Sequence, residues 1–421
     1  MSTSTRSDGA PSAPTDLIQR DPRLAGPPHT PREAFSAMRM RLRGGELGPW
    51  PVIIGLIIIA IVFQSLNSTF LSSQNLYNLS LQVVAGGAIA VGIVLVLLLG
   101  EIDLSAGSVS GLAGTVLAVL TVRNSLPVWL GLIGAILAGT AVGALQGTIF
   151  ARIGVPSFVV TLAGLIGWQG LQLYLLKPEG TINFPYNGFV AKITHTNLSK
   201  PAGWAVAAVV VLIYVGTEML ERRRRAEVGL AARPVASVVM RTIGLAVAVF
   251  GAVAILNAYA GVPIAVLIFV GLVVGFDLIL RRTRYGRSIF AVGGNIEAAR
   301  RAGINVTAIR ISVFALCSTL AAIGGILFAS RGYSVSQSSG GSDILLLAIA
   351  AAVIGGTSLF GGRGSTYSAL LGSLVLGAIT SGMLLLSLDV SVRYMITALV
   401  LVSAVILDSL SRRGRVSSGR E

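Results

Sequence analysis

The chain has 421 residues, 54% of them hydrophobic and 12% charged, with a mean hydropathy of +0.82. A soluble domain carries about twice that charged fraction. Apolar runs near span length recur along most of the chain, so the composition specifies an all-α polytopic membrane protein; a lipid-facing β-barrel, with alternating segments of about ten residues, is excluded. The net charge is +15 and Lys occurs only at Lys177, Lys192 and Lys200. That excess fits the positive-inside bias of membrane proteins better than a nucleic-acid surface. Cys317 is the only cysteine, which excludes an intrachain disulfide or a multi-cysteine metal site.

Residues 1–45 are rich in Ser, Thr, Pro and Arg, have no apolar period, and read as a disordered cytoplasmic tail. The first apolar run begins only near Pro51, so no signal peptide is expected. Arg39, Arg41 and Arg43 precede it and argue for a cytoplasmic N-terminus. Twelve spans are expected, at about 49–66, 79–99, 107–122, 127–150, 156–176, 201–219, 240–257, 264–280, 306–329, 342–360, 366–386 and 391–408, with ten as the alternative count. The transmembrane domain is thus 46–410, with a cytoplasmic tail at 411–421. On this topology only Arg123, Lys177, Lys192, Lys200, Arg331 and Arg393 fall outside; apart from the N-terminal tail, the loops and C-terminus place 19 basic residues inside against these 6.

The segment Gly100-Glu-Ile-Asp-Leu-Ser-Ala-Gly-Ser108 puts Glu101 and Asp103 between two apolar runs. Ionisable groups at membrane depth are costly and usually face a cavity or a partner. Two readings fit: a broken helix whose polar groups line a transport route, or a cytoplasmic turn in which Asp103 or Ser105 caps the next helix. Gly139, Gly143 and Gly147 recur at four-residue steps, a pattern that lets helices approach closely. Gln146 lies among them. The longest outer loop is about 177–200. The inner loop 221–239 carries the run Arg222–Arg225, suited to anionic lipid headgroups.

The stretch 284–303 is a basic island between apolar runs, containing a short helix with both ends marked. Gly286 lies early in the island. Gly293 and Gly294 let the chain turn, and Asn295 is a good N-cap. Glu297 suits the first turn, Arg300 and Arg301 the last, and Glu297 and Arg301 form an i,i+4 pair. Gly303 fits the left-handed position past the end. Two turns cannot fold alone, so this helix needs a surface to pack on. Further on, Ile354-Gly-Gly-Thr-Ser-Leu-Phe-Gly-Gly-Arg-Gly-Ser365 is a second glycine-broken segment, with Thr357 and Ser358 as its polar pair. Paired broken segments point to a central transport site. No lysine stands in a phosphate-binding P-loop, so ATP, if used, must be bound by another chain.

These pieces resemble the permeases of ribose/xylose/galactose-type ATP-binding-cassette (ABC) importers. Residues 100–108 resemble the GGxDLSxG signature, and Pro156-Ser-Phe-Val-Val-Thr-Leu162 resembles P-x-F-[IV]-x-T-L. Tyr285 through Asn305 resembles the cytoplasmic Y-G-R…G-G-N-x-x-A-A…G-I loop, and Gly355 through Gly364 resembles G-G-[TS]-S-L-x-G-G-x-G. The four stand in family order. Glu101 occupies a position where Gly is usual in the ribose-type signature. Gln146 stands where Asn is expected. Both Glu101 and the extra apolar material around 201–257 are more similar to the xylose branch, so xylose is the sugar the resemblance implies.

The resemblance implies a membrane subunit, usually a homodimer, that does no covalent chemistry and holds no cofactor. A separate ATPase subunit binds ATP and Mg, and an extracytoplasmic sugar-binding protein docks on the outer loops, chiefly 177–200 and 331–341. The loop 284–305 is then the coupling element. Gly286, Gly293, Gly294, Asn295, Glu297, Ala298, Ala299, Arg300 and Gly303 shape or present it to the ATPase, with Ala298, Ala299 and Ala302 as a small face. Glu101, Asp103, Ser105, Gln146, Thr357 and Ser358 are the expected translocation residues. Location in the inner or plasma membrane follows, with both termini cytoplasmic. The alternative is a proton-coupled secondary transporter using Glu101 or Asp103, which needs no partner chain.

Overall fold

The computed structural model describes residues 50–227 and 235–417. The expected tail 1–45 and the last four residues of the C-terminal tail lie outside them. In chain order the helices are α1 (Trp50–Leu66), α2 (Ser73–Leu98), α3 (Ala106–Ala118), α4 (Val128–Thr148), α5 (Ser157–Leu175), α6 (Phe189–His195), α7 (Lys200–Glu227), α8 (Val235–Tyr259), α9 (Ile264–Arg282), α10 (Arg284–Gly294), α11 (Ile296–Arg301), α12 (Val306–Gly332), α13 (Ser342–Ile354), α14 (Tyr367–Leu385) and α15 (Val390–Ser417). π-Helical turns at Val119–Arg123 and Ile149–Ile153 extend α3 and α4. Strands β1 (Thr181–Asn183) and β2 (Ser334–Ser336) pair antiparallel, with Ile182 opposite Val335. Among the described residues, nine helices are long and apolar enough to cross a membrane. Three shorter apolar helices, Trp50–Leu66, Ser342–Ile354 and Val390–Val400, bring the number of apolar segments to the twelve expected.

Residues 208–227 and 235–248 form one compact unit. There α7 stays helical through the arginine run to Glu227, and Arg225 pairs with Glu221 at 2.9 Å. The inner loop expected at 221–239 is therefore shorter than its charge pattern implied. Leu212, Ile213, Met219, Met240 and Ile243 are exposed apolar side chains of the kind lipid covers.

The other unit, 48–207 with 249–411, holds the core. Its most enclosed span is α2, with 89% of its most apolar window buried. From Val83 to Leu99 the helix is apolar or small on every face, as a helix surrounded by others must be. α12 runs beside it and serves as a ruler for depth. A Cβ at Gly92 of α2 would lie 3.1 Å from Cys317 Cα, and one at Gly324 would lie 2.8 Å from Ala85 O, so the two helices run antiparallel and nearly touch. Against α3, a Cβ at Gly325 would lie 1.9 Å from Ser110 O. At 1.5 Å per residue, Cys317 sits about 16 Å from the start of α12 and about 22 Å from its end.

That places the start of α3, reached through Asp103 beside Cys317, deep in the bundle rather than at its end. α13 also starts there: a Cβ at Gly107 would lie 3.0 Å from Leu345 and 3.1 Å from Gly340 O. The segment from Ser336 to Gly341 thus re-enters the bundle from the outer end of α12. α13 then covers 13 residues, about 20 Å, which is short of the roughly 30 Å hydrocarbon core. The span expected at 342–360 is a half-helix ending at Ile354, and the N-termini of α3 and α13 meet inside the bundle. The segment 100–108 is a break inside the bundle rather than a turn at its end, and Asp103 also ties off the helix that follows.

Candidate functional site: a polar break clamped by a helical hairpin

The α2–α3 link carries two carboxylates with different surroundings. Glu101 Oε1 lies 3.3 Å from an Arg310 guanidinium nitrogen, and its Oε2 accepts a 2.7 Å hydrogen bond from Ser157 Oγ, at the first residue of α5. The Arg310 guanidinium sits 4.6 Å over the Phe150 ring, a favourable cation–π distance. Two residues on, Asp103 is 1% exposed. Its Oδ1 accepts from Ser105 N at 2.8 Å and from Ser105 Oγ at 2.7 Å, which ties off the start of α3. A carboxylate there also meets the positive end of the α3 dipole.

Ser105 Oγ lies 2.9 Å from Gln146 Oε1 of α4 as well. A hydroxyl carries one proton and cannot serve both acceptors at once. Turning the Gln146 amide end for end resolves this, since amide orientation is assigned from its partners. Nε2 then donates to Ser105 Oγ, which donates to Asp103, and Oε1 faces Trp168 Nε1. As oriented, Gln146 Nε2 and Trp168 Nε1 are both unpartnered, and both lie within 3.0 Å of where a Cβ at Gly164 would be. Asp103 Oδ2 and Ser318 Oγ also lack hydrogen-bond partners. Glu101, Asp103, Ser105 and Gln146 are thus brought together as expected.

Thr357 and Ser358 are not part of this cluster. Thr357 is buried against Gly364 with its hydroxyl unpartnered, and Ser358 Oγ accepts from Phe360 N at 3.2 Å. Both sit on the α13–α14 link, which reaches the other end of the break: Gly362 N donates to Leu98 O at 2.9 Å.

The segment 284–303 is two helices rather than one. α10 was missed in the sequence because its glycines read as turn formers. Thr283 Oγ1 caps it by accepting from Gly286 N at 3.1 Å, and Gly286, Ile289 and Val292 form its buried face at helical spacing. Gly293 and Gly294 lie inside this helix and do not make the turn. What requires Gly293 is close approach: a Cβ there would lie 1.8 Å from Leu98 O and 2.9 Å from Gly362 N. A Cβ at Gly294 would meet nothing within 4 Å. Tyr285 of α10 holds Ser312 of α12 through their hydroxyl groups at 2.8 Å. Burial pushes the Tyr285 phenol above its ordinary value, so it stays protonated and bonded across the physiological range.

α11 has the expected caps. Asn295 Oδ1 accepts from Ala298 N at 2.9 Å. Gly303, at φ +80°, donates its N–H to Arg300 O at 3.0 Å, and Ile304 N–H reaches Ala299 O at 3.1 Å, a Schellman pair. Two expectations change. Glu297 pairs with Arg300 at 3.0 Å, one residue earlier than Arg301. Ala299 is 3% exposed and faces the protein, so it is not part of an outward small face. Glu297, Ala298, Arg300, Arg301 and Ala302 are the exposed side. Asn295→Ala should remove about 1 kcal/mol of local helix stability. The expected result is faster amide exchange and proteolysis at Arg300–Arg301, with the global thermal midpoint nearly unchanged.

A cavity of about 260 Å³ opens beside the C-terminal half of α12, between α3, α12 and the re-entrant segment. Ser110, Ser334, Ser338 and Ser339 line it together with Phe328. Arg310, Ser157, Phe150 and Ser318 were not singled out from sequence. Arg310 had a signal, being a charge inside an apolar run; its partner at Glu101, far away in the chain, did not.

A bundle of apolar spans with a polar break at mid-depth and a capped hairpin at one end is the build of a membrane transport subunit. The chain belongs to the family described as the branched-chain amino acid transport system / permease component, which matches residues 75–405. The xylose transport system permease protein XylH of Escherichia coli (strain K12) is 36% identical over 373 residues, 88% of this chain and 94% of that protein. XylH of Haemophilus influenzae (strain ATCC 51907 / DSM 11121 / KW20 / Rd) is 33% identical over 374 residues, 89% of this chain and 99% of that protein. The ribose import permease protein RbsC of Escherichia coli (strain K12) is 30% identical over 357 residues, 85% and 92% of the two chains. No solved structure matches.

Proposed function

We propose that this chain is the membrane-spanning permease of an ABC importer for xylose. It receives sugar from an extracytoplasmic binding protein and is driven by a separate ATPase subunit that binds ATP and Mg. The observation that carries this reading is the near full-length similarity to proteins named as xylose permeases. The serine-lined outer cavity supports it, since hydroxyl groups beside one aromatic ring suit a polyhydroxylated solute. In this reading Glu101, Asp103, Ser105, Gln146, Thr357 and Ser358 belong to the translocation machinery, the last two on its cytoplasmic side. Two copies of the chain form the working unit, with both termini cytoplasmic and the arginines at 222–225 against lipid headgroups.

The hairpin docks on the ATPase as a helix in a groove, presenting Glu297, Ala298, Arg300 and Arg301. Gly286, Gly293, Asn295, Ala299 and Gly303 hold its shape. Uptake of labelled xylose and ribose into proteoliposomes containing the chain, its ATPase and its binding protein tests this. ATP-dependent xylose uptake that ribose does not match is the expected result. Uptake driven by a pH gradient with no ATPase present would overturn it. Arg300→Glu with Arg301→Glu should weaken ATPase co-purification about tenfold or more, as loss of two complementary rim charges does, while leaving the thermal midpoint near wild type.

A further inference from the structure

We propose that Arg310 is the positioning residue that carries motion of the cytoplasmic hairpin to the mid-membrane end of α3, acting through its ion pair with Glu101. This rests on the ATP-driven reading above. Arg310 is in the second turn of α12, which follows α11 after a four-residue connection. Asn305 caps α12 by accepting from Ala308 N at 3.0 Å, so the hairpin and this turn move as one piece. Tyr285 of the hairpin grips Ser312, two residues beyond Arg310. From the other side, Glu101 stands two residues before Asp103, which ties off the first turn of α3. Displacement of the hairpin therefore has a side-chain route to the start of α3 through this ion pair, beside the backbone packing of Gly293 on Leu98 and of α12 on α3.

The chemistry of that contact suits a latch. The two side chains are 20% and 18% exposed, so the pair is partly shielded from water. It is a single contact at 3.3 Å rather than a bidentate fork. Each charge also has a second partner that stays behind when the pair opens: Ser157 Oγ for Glu101, and the Phe150 ring for Arg310. Neither is left bare, so opening and closing are both accessible. Arg310 Nε is buried without a partner, consistent with a guanidinium held for more than one arrangement. The Gly293 contact at Leu98 differs in kind, being backbone packing rather than a pair of charges.

The test uses the complete importer in proteoliposomes, with the chain carrying Arg310→Gln, Glu101→Gln, or the exchange Glu101→Arg with Arg310→Glu. Arg310→Gln should leave the ATPase bound and hydrolysing, but raise ATP consumed per sugar about tenfold, the scale of one broken charge pair in a coupled network. Glu101→Gln should raise the same ratio, and the exchange should bring it back toward wild type. If Arg310→Gln fails to reach the membrane, Arg310→Lys keeps the charge and loses the flat guanidinium over Phe150, and the ratio should rise less. An unchanged ratio, a parallel fall in uptake and hydrolysis, or an exchange no better than the single variants would overturn the proposal. Absence of ATP-driven uptake by the wild-type importer would instead bring down the reading it rests on.

Discussion

Gly293→Val is expected to abolish transport while the membrane bundle stays folded. A Cβ at this position would lie 1.8 Å from Leu98 O, a backbone atom that has no free rotamer to escape into. Leu98 O also accepts the hydrogen bond from Gly362 N, so moving it breaks the tie between the α2–α3 break and the α13–α14 link. Overpacking of this kind costs about 1–3 kcal/mol or more, and here relief comes most readily by lifting α10 off the core. The hairpin would then move without moving Leu98. Gly294→Ala is the matched control, because its Cβ meets nothing within 4 Å; it should be tolerated, and can gain up to about 1 kcal/mol of helix propensity. Uptake, ATPase co-purification and thermal midpoint measured on both variants decide it. Wild-type uptake in Gly293→Val would show that the contact is dispensable.

Asp103→Leu should reduce uptake about a hundredfold, and Asp103→Asn by much less. The leucine has nearly the right volume but leaves the buried Ser105 N–H without its acceptor, at about 1–3 kcal/mol for an unmet donor. It also removes a negative charge from the N-terminus of α3. Asparagine keeps Oδ1 in place and loses only the charge. Uptake measured across sugar concentrations, with ATP hydrolysis followed in parallel, separates the effects. Loss of maximal rate in both variants fits a residue that sets the start of α3. Unchanged uptake in Asp103→Leu would remove Asp103 from the translocation machinery.

Much of this architecture was legible in the residues. The apolar segments matched the helices because twenty or so apolar residues in lipid have one way to satisfy their backbone. The caps of α11 were readable because Asn295 and Gly303 act on neighbours three or four residues away. α10 was not, because its glycines have the same local signature whether they turn the chain or let another backbone come close. The Glu101–Arg310 pair was hidden for a related reason: 209 residues separate its members, and no local pattern states which charges will meet.

The sequence by itself determined that this is a helical membrane permease, where its apolar segments run, and that ATP, if it drives transport, is bound by another chain. Hydropathy, charge bias and the missing phosphate loop are sums over local chemistry and need no folded contacts. Only the tertiary structure decided that the break at 100–108 lies at mid-depth, that α13 is a half-helix, and that Gly293 touches Leu98. Those are distances between segments far apart in the chain, and they follow from how closely small residues let helices pack rather than from what any one segment prefers alone.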